Sequence, residues 1–243
     1  MKFVIVAAGR GSRLEGHGLS KPLVELCGKP ILQHVIEMIV SVSDAVSKPE
    51  IIIVTGWNYS RIHDLVVELN QLLPVRISTV HNDDWEKGNG TSVVAASSVI
   101  DEPFILLMAD HIVDRQILQL LQTSSLEAAD LLLAVDYKLD NLLVDLDDVT
   151  RVQSNGKHIA AIAKHLELYN CFDTGCFLCS PAFFDALVQA QENNGDYGIS
   201  GGVKVLASQQ RALVVDIGQA QWVDVDTPEM LEKALGLLNE RAG

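Results

Sequence analysis

The stretch Lys2-Phe3-Val4-Ile5-Val6-Ala7-Ala8-Gly9-Arg10-Gly11-Ser12-Arg13-Leu14 joins an apolar run directly to a loop that contains two glycines. The run Phe3–Ala7 has no polar alternation, which predicts a β-strand that is buried on both faces. Glycines let the backbone turn tightly and bring its N–H groups close to an anion. The stretch therefore predicts the first strand of an α/β sheet, followed by a loop suited to phosphate.

The same pattern recurs through the first half of the chain. We predict strands at Phe3–Ala7, Glu50–Thr55, Val75–His81, Phe104–Ala109 and Asp130–Asp136, with helices near Pro30–Val46, Tyr59–Leu73, Thr91–Val99 and Arg115–Thr123. Apolar strands that alternate with helices indicate a Rossmann-like α/β fold, in which helices cover both faces of a mainly parallel sheet.

The pattern changes after about residue 136. Residues 145–152 and 156–162 have the form of two short strands paired around an Asn155-Gly156 turn, which predicts a small antiparallel insertion. Ser180-Pro181 predicts the start of a helix that runs to about Glu192, because serine caps helices and proline suits their first turn. Further strands are predicted at Asp173–Leu178 and Ala212–Asp216, and a closing helix at Pro228–Arg241. We expect one domain, residues 1–243, with halves at 1–136 and 137–243.

The composition is that of a folded, acidic protein. Its 243 residues, 48% of them hydrophobic, suffice for one large domain with a buried core. The net charge of −14 disfavours nucleic acid and an anionic membrane surface as partners. Residues 1–30 nevertheless carry a local charge of +3. This asymmetry suggests a confined anion site, with ordinary charge scatter as the alternative.

The four cysteines favour a reducing compartment. Cys176 and Cys179 form a Cys-x-x-Cys pair, but they lie inside an apolar run, which favours buried thiols over a zinc or redox site. The apolar runs are shorter than a membrane span, and the N-terminal residues lack a cleavable signal site. We therefore expect a cytoplasmic protein without direct membrane insertion.

Two basic residues accompany the glycine loop. Arg13 and Lys21 can make charge-assisted contacts with phosphate oxygens. The loop does not match the dinucleotide-binding fingerprint, because Leu14 occupies the third glycine position, and it lacks the Gly-Lys-Ser/Thr of a Walker motif. A lone Gly-x-Gly turn is often only a tight connection, but here Lys21-Pro22-Leu23 and Gly28-Lys29-Pro30 follow it.

Aspartates follow two apolar strands and are candidate metal ligands. Asp110 ends the predicted strand at Phe104–Ala109, at the carboxyl edge where open parallel sheets bind ligands. In Trp222-Val223-Asp224-Val225-Asp226-Thr227-Pro228, alternation places Asp224 and Asp226 on one face. The structural alternatives are a turn or helix cap at Asp110 and a cap of the helix at Pro228 by Asp226.

The segment from Asn82 to Ser92 is a candidate for base recognition. Asparagine can donate to and accept from a base edge, and Gly90 permits close backbone approach. The alternative is a turn followed by a helix cap at Thr91 or Ser92.

Together, Ala7–Leu14, Lys21–Leu23 and Gly28–Leu32 resemble the signature of the nucleotidyltransferases that activate sugar phosphates and related alcohol phosphates. The resemblance implies the nucleotide-diphospho-sugar transferase fold. It implies that Ala7, Ala8, Gly9, Gly11 and Ser12 wrap a nucleoside triphosphate, with Arg13 and Lys21 as the catalytic residues on its phosphates. It further implies that Asp110 and Asp226 bind Mg²⁺, with Asp224 in reserve, and that Asn82, Asn89, Gly90 and Thr91 contact the nucleotide. The form of Glu86–Ser92 is most similar to that of enzymes that use CTP.

Residues 147–152, 162–166, 170–175 and 195–203 resemble CTP:inositol-1-phosphate cytidylyltransferases. On that resemblance Lys164 binds the acceptor phosphate, and Asp173, Thr174 and Gly175 form the turn that binds an acceptor hydroxyl. Two departures concern the acceptor: Gly198 stands where members often have a bulky residue, and Ala163 precedes Lys164 where members typically have Gly or Lys.

The predicted reaction is transfer of a cytidylyl group from CTP to inositol 1-phosphate, or to a similar cyclitol or sugar phosphate, with release of pyrophosphate. One alternative is a sugar-1-phosphate, phosphocholine or phosphonate nucleotidyltransferase that uses another nucleoside triphosphate. A second is a non-catalytic nucleotide-binding regulatory module, whose expected mark is loss of Arg13, Lys21, Asp110 or Asp226; all four are present. Some similar proteins carry a fused membrane domain that consumes the CDP product. Since this chain ends at Gly243, we expect that partner to be a separate membrane enzyme; a homodimer is left open.

Overall fold

Strands and helices alternate through the first half of the chain in a computed structural model, which describes residues 1–11, 20–43 and 48–242. The strands are β1 (Lys2–Ala7), β2 (Glu25–Leu26), β3 (Lys29–Pro30), β4 (Glu50–Thr55), β5 (Arg76–His81), β6 (Phe104–Met108), β7 (His111–Val113), β8 (Leu131–Asp136), β9 (Arg151–Asn155), β10 (His158–Ala163), β11 (Cys171–Cys179), β12 (Ala212–Asp216) and β13 (Trp222–Asp224). The helices are α1 (Ile31–Ser41), α2 (Tyr59–Leu72), α3 (Asn89–Ala95), α4 (Arg115–Thr123), α5 (Ala182–Asn194), α6 (Ile199–Ser208) and α7 (Pro228–Ala242), with short 3₁₀ turns at Lys21–Leu23 and Ala96–Ser98.

One large sheet joins the two halves of the chain. Within the described ranges it has nine strands in the order β5-β4-β1-β6-β11-β8-β12-β10-β9. The first four strands are parallel, and β8 and β12 are parallel to each other. β11 runs antiparallel between β6 and β8, and β9 and β10 form an antiparallel pair at the edge. The predicted α/β class with an antiparallel insertion is confirmed.

The sheet is buried on both faces, as the unbroken apolar strands predict. In β4, Ile51 and Ile53 belong to the core cluster formed with α1, α2 and α4. Their neighbours Ile52 and Val54 belong to the opposite cluster, formed with α3, α5 and α6. Successive side chains of a strand point to opposite faces, so one apolar run supplies both cores.

One expectation about the second half differs from the structure. The strand predicted from Asp145 is wrong in its first part, because β9 begins only at Arg151. The Asp145 side chain accepts a hydrogen bond from the Asp147 N–H, and its carbonyl accepts one from Val149, so residues 145–149 form turns. Gly156 has a φ of +58°, as the predicted Asn155-Gly156 turn requires.

Helix α6 was not predicted, because Gly201 and Gly202 lower the helix propensity of its first turn. The structure explains one of them through packing. A Cβ on Gly202 would lie 2.7 Å from Leu187 Cδ2 of α5. Glycine therefore lets α6 approach α5 closely. None of the helices in the described ranges combines the length and apolar composition needed to span a membrane.

Candidate active site

The glycine loop follows β1 and lies beside the segment that follows β4. Ala7 is the last residue of β1, and the Ala8 carbonyl accepts a hydrogen bond from the Trp57 N–H at 3.0 Å. Gly11 has a φ of +66°, and a Cβ there would lie 2.5 Å from Lys21 Cβ. Gly11 therefore permits both the turn and the close approach of Lys21. Ser12 and Arg13, predicted to bind phosphate, lie outside the described residues.

A small two-stranded sheet places the aspartates. β7 pairs antiparallel with β13, so that His111 lies opposite Asp224 and Val113 opposite Trp222. The ladder continues through the Val225 N–H, which donates to the Asp110 carbonyl at 3.0 Å. This pairing brings Asp110, from the carboxyl end of β6, beside the Asp224–Asp226 segment from the other half of the chain.

Lys21 lies inside this group of carboxylates. Its Nζ lies 2.6 Å from Asp110 Oδ2 and 3.2 Å from Asp224 Oδ1, and it also contacts Asp226. Only 7% of the Lys21 side chain is exposed. Burial opposes its charge, but the three carboxylates outweigh that effect and raise the pKa of Lys21 above its ordinary value.

The pKa values of Asp110 and Asp226 shift in opposite directions. Burial favours the neutral form of Asp110, but Lys21 and His111 outweigh burial and hold the pKa of Asp110 below its ordinary value. Burial, the neighbouring Asp148 carboxyl and the charge of Asp224 raise the pKa of Asp226 to about 7. The site therefore has more negative charge than Lys21 alone can neutralise.

Asp148 connects this group to the predicted acceptor lysine. Its carboxylate accepts a hydrogen bond from Lys164 Nζ at 2.6 Å. One of its carboxylate oxygens also lies within 4.8 Å of carboxylate oxygens of Asp224 and Asp226. Lys164 is 51% exposed. Asp148 lies in the segment 147–152 that resembles the family, but no role was predicted for it. Its position depends on the turns before β9, which sequence periodicity cannot reveal.

The carboxylates and Lys164 line one cavity of about 230 Å³. Asp173 and Gly175 line it too, and the Gly175 N–H donates to Asp173 Oδ1 at 2.8 Å. Burial raises the pKa of Asp173 to about 6. Thr174 is instead fully buried, and its hydroxyl donates to the Ala134 carbonyl at 2.8 Å. Of the predicted acceptor turn, the first and third residues face the cavity.

The Asn82 side chain makes hydrogen bonds inside the predicted base-binding segment. Its amide donates to the hydroxyls of Thr91 and Ser92 at 2.9 and 3.0 Å, and its carbonyl oxygen accepts from the Asp84 N–H. Asn82 is 4% exposed, and the Thr91 hydroxyl donates to the Gly88 carbonyl. Both side chains are therefore used in holding the loop shape.

Asn89 and Gly90 connect that segment to the second half of the chain. Asn89 lines the cavity, and its Oδ1 accepts a hydrogen bond from the Ile199 N–H at the start of α6. The Gly90 N–H donates to the Tyr197 carbonyl, and a Cβ on Gly90 would lie 2.7 Å from that oxygen. Gly90 thus permits close contact with the protein backbone. The sequence predicted close approach to a nucleotide base, and a glycine at this position fits either contact.

Comparisons with known proteins identify the family of the chain. The sequence pattern of the MobA-like NTP transferase domain matches residues 3–213. A bifunctional IPC transferase and DIPP synthase of Rubrobacter xylanophilus is 31% identical over 93% of this chain and 49% of its own length. A UTP–glucose-1-phosphate uridylyltransferase of Haloferax volcanii is 26% identical over 99% of this chain and 97% of its own. The chain spans about half the length of the bifunctional relatives that it matches.

A solved structure confirms the fold. The inositol-1-phosphate CTP transferase from T. maritima superposes with a TM-score of 0.81 and 22% identity, covering 96% of this chain and 95% of its own. The predicted nucleotide-diphospho-sugar transferase fold and the predicted resemblance to nucleotidyltransferases are both confirmed. Because the domain pattern covers most of its length, the chain belongs to the MobA-like NTP transferase domain family.

Proposed function

We propose that the protein transfers a cytidylyl group from CTP to inositol 1-phosphate, or to a closely similar cyclitol or sugar phosphate, and releases pyrophosphate. The observation that carries the proposal is the pairing of two lysines with aspartates that line one cavity: Lys21 with Asp110, Asp224 and Asp226, and Lys164 with Asp148. Both the triphosphate and the acceptor phosphate need such charges. Bifunctional relatives named for IPC transferase favour the cytidylyl and inositol assignments.

The carboxylates fit a divalent cation, because they already enclose a positive charge. The Lys21 ammonium stands among Asp110, Asp224 and Asp226 as a cation would. Carboxylate oxygens are the hard ligands that Mg²⁺ prefers. We propose that Asp110 and Asp226 hold Mg²⁺, with Asp224 as a third ligand. When bound, Mg²⁺ would neutralise charge on the triphosphate.

In the proposed reaction an oxygen of the acceptor phosphate attacks the α-phosphorus of CTP. A new P–O bond forms while the bond between the α-phosphorus and the bridging oxygen to the β-phosphate breaks, and that oxygen leaves on pyrophosphate. The acceptor oxygen is already ionised at neutral pH, so the chain needs no general base. Lys21 can exchange carboxylate for phosphate oxygens and oppose the developing charge, and Lys164 can exchange Asp148 for the acceptor phosphate.

The test is a pyrophosphate-release assay that crosses the four nucleoside triphosphates with inositol 1-phosphate, glucose 1-phosphate and phosphocholine. We expect the highest kcat/KM for CTP with inositol 1-phosphate. A preference for UTP with glucose 1-phosphate would overturn the cytidylyl proposal and favour the uridylyl alternative, which the Haloferax volcanii relative supports.

The metal assignment has its own test. Asp226→Asn should raise the Mg²⁺ concentration for half-maximal activity at least tenfold, while Asp140→Asn, at an exposed position, should leave it unchanged. Equal Mg²⁺ dependence in the two variants would contradict the assignment. The bifunctional relatives also carry the name DIPP synthase, so we propose that an enzyme of that kind consumes the nucleotide-linked product.

A further inference from the structure

We propose that His111 is a positioning residue, which holds the Asp110 carboxylate so that a chosen oxygen faces the cation. This inference rests on the proposed function for its meaning in catalysis. His111 Nδ1 lies 2.8 Å from Asp110 Oδ1, while Asp110 Oδ2 faces Lys21 Nζ at 2.6 Å. An ionised carboxylate can only accept hydrogen bonds, so Nδ1 carries the proton and donates it. The two oxygens of Asp110 therefore have different partners.

This division matters because a carboxylate turns easily about its last side-chain bond. Without a partner on Oδ1, Asp110 could present either oxygen, or neither, to the cation position. His111 removes that freedom. Histidine and carboxylate neighbours that orient metal ligands typically change metal affinity or activity by roughly 10- to 100-fold when they are replaced.

The imidazole is held in place by an aromatic neighbour. The Trp222 ring lies parallel to it within 17°, with ring centroids 6.1 Å apart. This arrangement follows from strand register: His111 lies opposite Asp224, so Trp222 is its diagonal neighbour on the same face. The indole N–H in turn donates to Asp136 Oδ2 at 3.0 Å, and Asp136 is fully buried.

The other side of the imidazole is closed by Gly175. A Cβ on Gly175 would lie 2.7 Å from His111 Cδ2 and 2.8 Å from Nε2. The His111 side chain is 12% exposed, which leaves little room for another rotamer. Asp224 Oδ1 lies 3.6 Å from Nδ1, beyond a direct hydrogen bond. Asp110 is therefore the carboxylate that His111 orients.

The experiment separates the N–H donor from the volume of the ring. His111→Asn keeps an N–H donor near the position of Nδ1, whereas His111→Leu fills the space without one. Mg²⁺ alone is titrated into each protein by isothermal titration calorimetry, and the Mg²⁺ dependence of turnover is measured separately. We expect His111→Leu to weaken Mg²⁺ binding by roughly 10- to 100-fold, and His111→Asn to recover most of that loss.

His34→Leu is the matched control, because His34 also makes one hydrogen bond, to the Leu26 carbonyl, in a part-buried position on α1. It should leave Mg²⁺ binding unchanged. If His111→Leu does not fold, Trp222→Phe loses the hydrogen bond to Asp136 and should weaken Mg²⁺ binding by a smaller factor. Equal Mg²⁺ affinity in His111→Leu and the wild type, or equal losses in His111→Leu and His111→Asn, would overturn the proposal. Because the titration contains no substrate, it tests the role of His111 even if the cytidylyl assignment is wrong.

Discussion

The ammonium group of Lys21 contacts the carboxylate of Asp226 across 205 positions of sequence. Asp110 and Asp224 lie within 3.2 Å of the same ammonium. Three carboxylates in one place repel one another, so the buried lysine is the charge that keeps them together. Lys21 is thus needed for the stability of the site as well as for the proposed chemistry.

Lys21→Met should therefore have two effects. Turnover should fall by roughly 10²- to 10³-fold, the usual cost of removing a fixed charge that stabilises a transition state. The free energy of unfolding without Mg²⁺ should fall by about 3 kcal/mol, because a buried charge group loses its partner. Steady-state kinetics and urea unfolding measure the two effects.

Lys29→Met is the control for Lys21→Met. Lys29 pairs with Glu37 at 2.8 Å on the exposed side of α1, where an ion pair contributes about 0–1 kcal/mol. Added Mg²⁺ should stabilise Lys21→Met more than the wild type, since the carboxylates then lack their internal cation. Near-normal turnover in Lys21→Met would refute the role of this lysine.

Most of the sheet could be predicted because its strands are buried on both faces and carry a signal that needs no tertiary context. Glu50–Thr55 was predicted with its observed bounds for this reason. Helix α6 was missed, because its Gly202 permits close contact with α5 and that contact is invisible in a single sequence. Local propensity and tertiary packing disagree at such positions, and packing prevails.

The candidate site divides in the same way. Asp110 follows an apolar strand of the large sheet, at the carboxyl edge where ligands bind, so its place in the site could be anticipated. Asp226 follows β13 of the separate two-stranded sheet, and only the family resemblance indicated that it would lie near Asp110. The position of Asp148 could not be anticipated, because a turn before β9 brings it to the site. The internal use of the Asn82 amide was equally hidden, since the residues that satisfy it, Thr91 and Ser92, follow nine and ten positions later.

Gly175→Ala tests the space beside His111, and Gly218→Ala provides a matched comparison. Both glycines follow an Asp by two residues, donate their backbone N–H to its Oδ1, and have φ values of +72° and +60°. A Cβ on Gly218 has nothing within 4 Å, whereas one on Gly175 would overlap His111. Gly218→Ala should cost about 1 kcal/mol of unfolding free energy, from backbone conformation alone.

Gly175→Ala should cost about 1–3 kcal/mol more than that, because the imidazole must move from a packed position. It should also weaken Mg²⁺ binding, which Gly218→Ala should not. Urea unfolding and calorimetry measure the two quantities. Equal losses of stability in the two variants would show that the contact with His111 carries no cost.

Asp173 provides a pH dependence whose sign follows from its surroundings. Burial raises its pKa from an ordinary 3.8 to about 6, against the opposing effects of the Gly175 N–H and His111. The folded protein therefore binds this proton more tightly than the unfolded chain. The resulting contribution to stability is fully present below pH 3.8 and is lost as the pH rises through 6.

Asp173→Asn removes the charge but keeps the oxygen that accepts the Gly175 N–H. Relative to the wild type, the variant should gain stability between pH 4 and pH 7, on the order of 1–3 kcal/mol by the upper end of that range. Asp216→Asn is the control, because Asp216 makes the same 2.8 Å hydrogen bond, to Gly218, on the exposed surface. Its difference from the wild type should stay small throughout. Urea unfolding at several pH values tests this, and parallel pH profiles for the two variants would mean that the Asp173 carboxyl ionises as freely in the folded cavity as in water.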